Sequence, residues 1–224
     1  MKLVPVGLLA LAGCSSTSKH AMTHEHQHGG AHASHHSFSD AHEWTRVFDD
    51  PSRDAWQRPD DVLLAMALDP TMTVADVGAG TGYFAVRLAR AVPQGRVIAT
   101  DIEPDMVRFV TERARREQLD NLTATVVGAA EPGLAAQSVD RILIVHVWHH
   151  LAGRGAYARS LAAALRRGGR VFVVDFTLTA ERGPPPSLRV APEQVVTELT
   201  TAGFSARVVP ISLPDQYVVE ARLP

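Results

Sequence analysis

The chain predicts an α/β domain built on a mostly parallel, seven-stranded sheet, and three observations carry that expectation. First, a strand-like run, Thr73-Val74-Ala75, passes through the glycine-rich stretch Asp76-Val77-Gly78-Ala79-Gly80-Thr81-Gly82-Tyr83 into the helix-like run Phe84-Ala85-Val86-Arg87-Leu88-Ala89. Second, apolar strand-like runs and amphipathic helix-like runs then alternate, the pattern of a parallel sheet with crossover helices. Third, the last two strand-like runs are separated only by Pro210-Ile211-Ser212-Leu213-Pro214-Asp215. Six residues are too few for a helical crossover, so these two runs pair antiparallel.

Taken in order, Glu43 to Asp69 reads as helical with one break, at the turn Asp49-Asp50-Pro51-Ser52. Asp60 and Asp61 cap an apolar helix, Val62 to Leu68, which Pro70 stops. Arg53 and Trp56 either line a pocket or serve packing: Trp56 against the domain, Arg53 beside an aspartate. After the glycine turn come strand Arg96–Asp101, helix Pro104–Gln118 with proline in its first turn, and strand Leu122–Val127. Arg113, Arg115 and Arg116 lie between Glu112 and Glu117 and read as a solvated helix face. Strand Val139–Val145 is almost continuously apolar, as a central strand covered on both faces should be. Helix Ala156–Arg167, the Gly168-Gly169 turn and strand Arg170–Phe176 follow. Gly183-Pro184-Pro185-Pro186 is a rigid loop before helix Pro192–Ala202, which Gly203 ends. Phe204–Val209 and Tyr217–Leu223 are the final pair.

Glycines between a strand and a helix let backbone N–H groups and a ligand approach closely. Asp101 ends the second strand, 19 residues after Gly82, the distance at which such folds set a carboxylate on a ribose hydroxyl pair. The glycines are spaced Gly-x-Gly-x-Gly, and Asp76 stands two residues before the first. A carboxylate there attracts a cationic ligand and repels a pyrophosphate, which argues against a nucleotide-dependent oxidoreductase. The stretch resembles motif I of the class I S-adenosylmethionine-dependent methyltransferases, and Leu165-Arg166-Arg167-Gly168-Gly169 resembles a turn of the same family. The resemblance spans roughly Trp44 to Leu223. It implies a Rossmann-like sheet with an antiparallel last strand and helices on both faces, and S-adenosylmethionine as cofactor. It implies a cofactor site of Asp76, Gly78, Ala79, Gly80, Gly82, Tyr83, Asp101, Ile102, Ala129 and Ala130. Family members often carry an acid where this chain has Ala129, which leaves the adenine to backbone groups or Glu131. His146, Trp148, His149 and His150 follow the fourth strand, whose end faces the transferable methyl in the family. His146 and His150 are the candidate catalytic residues, to orient an acceptor or take its proton; the alternative is that they cap strand and helix ends.

The net charge of −2 over 224 residues gives no electrostatic case for nucleic acid. No Asn/Asp-Pro-Pro-Tyr/Phe follows the fourth strand, which disfavours amide or adenine-N methylation. Cys14 is the only cysteine, so covalent thiolate chemistry on cytosine is closed and no cysteine metal site is expected. A small-molecule acceptor remains. Met1 to Gly13 reads as a signal peptide whose Leu11-Ala12-Gly13-Cys14 resembles a bacterial lipobox, with Cys14 lipidated and membrane-anchored. Residues 14–42, with eight histidines, read as a disordered tether, either a solvated linker without a dedicated metal site or a segment whose neutral imidazoles capture Zn, Cu or Ni weakly, and residues 43–224 as the folded domain. S-adenosylmethionine is made in the cytoplasm, which sets an exported enzyme against two rivals: a non-catalytic envelope domain, or a cytoplasmic enzyme started at Met22.

Overall fold

Helix α1 (Ala41–Phe48) opens the folded region of this computed structural model, which describes residues 41–224. The expected leader, Cys14 and nearly all of the histidine-rich segment lie outside the described residues. Helices α2 (Arg53–Gln57) and α3 (Pro59–Met66) follow, then β1 (Thr73–Val77), α4 (Tyr83–Ala91), β2 (Arg96–Asp101), α5 (Pro104–Arg116), β3 (Leu122–Val126) and β4 (Val139–Val145). A 3₁₀ turn at Trp148–His150 leads to α6 (Arg154–Ala164), β5 (Leu165–Phe176), α7 (Pro192–Thr201), β6 (Ser205–Val208) and β7 (Gln216–Arg222).

The seven strands form one sheet in the order β3-β2-β1-β4-β5-β7-β6. All neighbours pair parallel except β7, which runs antiparallel to both β5 and β6. The mostly parallel sheet with a reversed last strand is therefore as the sequence predicts. Strands β1 and β4 lie side by side although they are not consecutive, so the strand order reverses between them, where open α/β sheets bind ligands. Val62 and Met66 of α3, most of α4 and part of α5 cover one face with Val74, Leu143, Phe172 and Val174. Trp148, Tyr157, Leu161, Val195 and Leu199 cover the other face with Ala75, Ile142, Ile144 and Val173. Burial on both faces explains why β4 and β5 read as near-continuous apolar runs.

Three boundaries differ from expectation, two of them through a contact distant in sequence. The leading segment breaks twice, the second time at Arg58, whose φ of 46° precedes Pro59; a residue before proline avoids the right-handed helical region. Helix α3 ends at Met66, not at Pro70, because the Arg141 Nε–H takes the Met66 carbonyl at 2.9 Å. Helix α6 ends at Ala164 rather than Arg167. Leu165 pairs with Val139, and the ladder resumes only at Arg141 with Arg170, so Arg166–Gly169 bulge out of β5. Gly168, with φ of 79°, makes that bulge possible. Arg115 and Arg116 are exposed as expected, but Arg113 is not part of a solvated face. It pairs with Asp49 at 3.1 Å and Glu117 at 2.9 Å, and its Nη1 donates to the Thr81 carbonyl at 3.1 Å.

Phe172 is fully buried in the middle of β5, whereas Leu64 of α3 is 80% exposed. Phe172→Ala should therefore lower unfolding free energy by about 3–5 kcal/mol, and Leu64→Ala should change it by no more than about 0.5 kcal/mol. Urea unfolding of the two variants with an unchanged m-value checks both.

Candidate functional site

The turn after β1 is shaped by the ends of its neighbours. Gly78, Gly80 and Gly82 all have positive φ, and Gly78 has no alternative: a Cβ there would stand 2.3 Å from Val147 Cγ2. The turn beyond β1 and the segment beyond β4 are thus pressed together, and only a residue without a side chain fits between them. The N–H groups of Gly78 and Ala79 donate to the Thr100 carbonyl at 2.7 and 3.0 Å, and the Gly80 N–H donates to Asp101 Oδ2 at 2.8 Å. The other Asp101 oxygen accepts from the Glu103 N–H at 3.0 Å. Asp101 stands beside a narrow depression lined by Ala79, Gly80, Met106, Val107 and Ala124. Ile102 is exposed next to it, and Ala129 and Ala130 are exposed beyond the end of β3. The structure therefore brings the sequence-predicted residues to the ends of β1, β2 and β3, around one turn.

Two buried groups beside the turn, predicted Asp76 and unpredicted Thr100, carry uncompensated polarity. Asp76 is 2% exposed, and its Oδ2 has no hydrogen-bond partner among the described residues. Burial, and next the charge of Asp101, push its pKa up to about 7, although the Arg53 charge and then the Ala85 N–H of the first turn of α4 favour the anion. Thr100 Oγ1 is likewise buried without a partner. Across from them stands Arg53, 9% exposed. Its guanidinium donates to the Phe48 carbonyl at 2.7 Å and to Gln57 Oε1 at 3.2 and 3.3 Å, and lies 3.9 Å from the centre of the Tyr83 ring. Among the described residues no carboxylate forms an ion pair with it. Burial lowers its pKa to about 10, so it remains a cation at neutral pH. Arg53 thus lines the site rather than pairing with an aspartate.

The Tyr83 side chain is engaged within the protein. Its hydroxyl donates to Asp54, and Arg87 stacks on it at 4.0 Å while also pairing with Asp54 at 2.8 Å. These contacts fasten α2 to α4. Asp49, held by Arg113 and by the Thr81 hydroxyl at 3.2 Å, fastens the end of α1 to the glycine turn.

Beyond β4 the three histidines differ sharply. His146 has φ of 58° and its ring stacks on Phe176 at 4.1 Å, with Trp56 nearly parallel at 6.1 Å from His146 and 6.3 Å from Phe176. A directed chain of hydrogen bonds ends on it: Arg53 donates to Gln57 Oε1, Gln57 Nε2 donates to Gln216 Oε1 at 2.8 Å, and Gln216 Nε2 donates to His146 Nε2 at 2.6 Å. With Nε2 accepting, the proton of this neutral ring sits on Nδ1. Burial lowers its pKa to about 3, so His146 does not fit the role of proton acceptor and stands instead as part of an aromatic wall. His150 is exposed, and its ring centre lies 4.1 Å from that of His149. The His149 ring meets a carboxylate: Nδ1 lies 2.9 and 3.0 Å from the two oxygens of Asp175. That pair spans 26 residues and both strand ends, and the sequence pattern does not announce it. Among the described residues no group of three metal-ligating side chains is placed to hold an ion.

Residues 74–176 match the family model for a methyltransferase domain. The chain is 32% identical over 111 residues to the ubiquinone/menaquinone biosynthesis C-methyltransferase UbiE of Nitrobacter hamburgensis, covering 49% of this chain and 44% of that protein. It is 31% identical over 115 residues to a protein-L-isoaspartate O-methyltransferase of Methanopyrus kandleri, covering 50% and 48%. The chain thus spans about half the length of these curated relatives, whose names point to different acceptors. A crystal structure of a SAM-dependent methyltransferase from Aquifex aeolicus superposes with a TM-score of 0.75 at 27% identity, covering 81% of this chain and 97% of that one. The residues fit such a cofactor: a buried carboxylate with one unpartnered oxygen and a buried guanidinium without an ion pair suit the ammonium and carboxylate of a methionyl group. Residues 74–176 are thus similar to a methyltransferase domain, the fold is that of S-adenosylmethionine-dependent methyltransferases, and the site and the matches support S-adenosylmethionine as the cofactor.

Proposed function

We propose that this chain is an S-adenosylmethionine-dependent methyltransferase acting on a small-molecule acceptor. The observation that carries the reading is the pair of opposite charges, Asp76 and Arg53, buried at the switch point without ion-pair partners. Bound there, S-adenosylmethionine supplies a methyl group already activated on a sulfonium. Asp76 holds the ammonium end and Arg53 the carboxylate end. Gly78, Ala79, Gly80 and Gly82 shape the turn, Asp101 takes the ribose hydroxyls, and Ile102, Ala129 and Ala130 border the base. With the leaving group activated, the protein mainly positions the acceptor and keeps the site dry. Helices α1 and α2 serve that second task, since Phe48 approaches Gly80 and the Asp49 and Asp54 ion pairs hold both helices down. The acceptor side lies at the ends of β4 and β5, among His146, His149, His150 and Trp56.

We also propose that the domain is tethered to a bacterial envelope membrane by a lipid on Cys14, which the sequence Leu11-Ala12-Gly13-Cys14 supports. Among the described residues no helix is long and apolar enough to cross a membrane. Cys14→Ser should abolish acylation and move the protein out of the membrane fraction; unchanged mass and fractionation would reject the anchor.

Asp76 sets cofactor affinity against stability. Its folded pKa lies above that of an unfolded aspartate, 3.8, so the folded state binds the extra proton between about pH 4 and 7 and loses stability as pH rises through that window. Asp76→Asn should therefore raise the melting temperature of the ligand-free protein by several degrees at pH 8 and by progressively less toward pH 4. The same variant should bind S-adenosylhomocysteine at least tenfold more weakly in calorimetry. Asp101→Ala should cost about 1.5–3 kcal/mol of binding through the lost ribose contacts. No binding of S-adenosylhomocysteine at millimolar concentration by the unaltered protein would refute the cofactor reading.

A further inference from the structure

Arg53 is held by groups that orient it without neutralising it. Three of its five N–H groups are engaged, two with Gln57 Oε1 at 3.3 and 3.2 Å and one with the Phe48 carbonyl at 2.7 Å. All three bonds go to neutral oxygens, so the charge stays available and two N–H groups remain for a ligand. Helix α2 has five residues, too few to be stable by itself. What fixes Arg53 is therefore what fixes Gln57, its neighbour one turn later on the same helix face. Gln57 is fully buried and Gln216 nearly so. Gln57 Nε2 donates to Gln216 Oε1 at 2.8 Å, and Gln216 Nε2 lies 2.6 Å from His146 Nε2. The far members stand on the sheet. Gln216 opens β7 opposite Phe176, and the His146 N–H donates to the Val174 carbonyl of β5 at 2.9 Å. The His146 ring is stacked on Phe176, and its φ of 58° is rare for a residue with a side chain. A guanidinium only donates, and that sets which way round each amide stands. Gln57 turns its oxygen to Arg53 and its nitrogen to Gln216, and Gln216 turns its nitrogen to His146. The chain must then end on a group that accepts, which a neutral imidazole protonated on Nδ1 does and an imidazolium does not.

We propose that Gln57, Gln216 and His146 are positioning residues for Arg53: a chain of neutral groups ties the guanidinium to the sheet with its charge uncancelled, and so makes the site select a ligand that carries a carboxylate. This rests on the cofactor reading above and deepens it, since the methionyl carboxylate is then recognised through residues beyond the one that binds it. The chemistry explains why amides stand here. A carboxylate at position 57 would hold Arg53 equally well but cancel its charge, leaving little for a ligand. It would also reverse the chain. A carboxylate accepts at both oxygens, so Gln216 would turn its nitrogen toward position 57 and its oxygen toward His146, and His146 would carry its proton on Nε2.

The test uses the full chain and two ligands: S-adenosylhomocysteine and its decarboxylated analogue, which keeps the ammonium and lacks only the carboxylate. In calorimetry the unaltered protein should bind S-adenosylhomocysteine at least about tenfold more tightly than the analogue, the scale of lost charge-assisted hydrogen bonds. Gln57→Glu should bring that ratio below about threefold by weakening S-adenosylhomocysteine alone, while the melting temperature of the ligand-free protein does not fall. Arg53→Met should lose the ratio as well, and adding Gln57→Glu to it should change the ratio no further. Imidazole ¹H–¹⁵N spectra, with His146 assigned by its loss in His146→Asn, should show Nδ1 protonated in the unaltered protein and Nε2 protonated in Gln57→Glu. A packing role for Gln57 would not produce that reversal. If Gln57→Glu does not fold, Gln216→Leu takes its place and should lower the ratio by at least about threefold. Four results would each overturn the inference and leave the cofactor reading standing: equal binding of both ligands by the unaltered protein, an unchanged ratio in the folded variant, weakening of both ligands together, or His146 protonated on Nε2 from the start. If S-adenosylhomocysteine itself does not bind, both fall together.

Discussion

A buried carboxylate and a buried guanidinium that feel each other's charge but form no ion pair govern this molecule. Desolvating either group is costly, and proteins normally answer with a partner or a proton. Asp76 takes the second course in part, with a pKa near 7, and Arg53 is held by carbonyl oxygens and by the Tyr83 and Trp56 rings. Neither arrangement is the best solution for stability alone. Both make sense when a ligand brings an ammonium to one and a carboxylate to the other, and the features around them keep the two groups in place. Tyr83 is pinned between Arg53 and Arg87, Asp54 joins Tyr83 to Arg87, and Arg113 joins Asp49 to the carbonyl of Thr81.

The same economy links the two halves of the site. Because residue 78 has no Cβ, Val147 can lie against the glycine turn, so the segment beyond β4 begins where the cofactor turn ends. The chain Arg53–Gln57–Gln216–His146 continues that link across α2, β7 and β4. A group on the cofactor side and a ring on the acceptor side therefore share one directed hydrogen-bond path. The path also explains the neutral His146 without asking it to move a proton.

What could be read in the sequence is what is local. The glycine turn, Asp76 and Asp101 lie within one strand–turn–helix–strand unit, whose period and turn residues announce it. The reversed last strand followed from a loop too short to cross over. What could not be read depends on pairings between distant residues. His149 gains its partner from Asp175, 26 positions later. Arg53 differs from an ordinary surface arginine only through Phe48, Gln57 and Tyr83 closing around it. Arg113, in a run of arginines that suggests a solvated face, is drawn inward by Asp49, 64 positions earlier. The early end of α6 is similar: helix propensity continues through Arg167, but Val139 captures Leu165 for the sheet.

Proton release on cofactor binding tests the central claim most directly, since it reads Asp76 without an acceptor. Titration calorimetry with S-adenosylhomocysteine, in two buffers of different ionisation enthalpy, gives the number of protons released at each pH. With a ligand-free pKa near 7 and an ammonium placed against the carboxylate, close to one proton per ligand should leave at pH 6 and almost none at pH 8.5, with affinity rising between the two. Binding with no proton release at pH 6, and with affinity that does not change with pH, would contradict the account of Asp76 as the group that holds the ammonium.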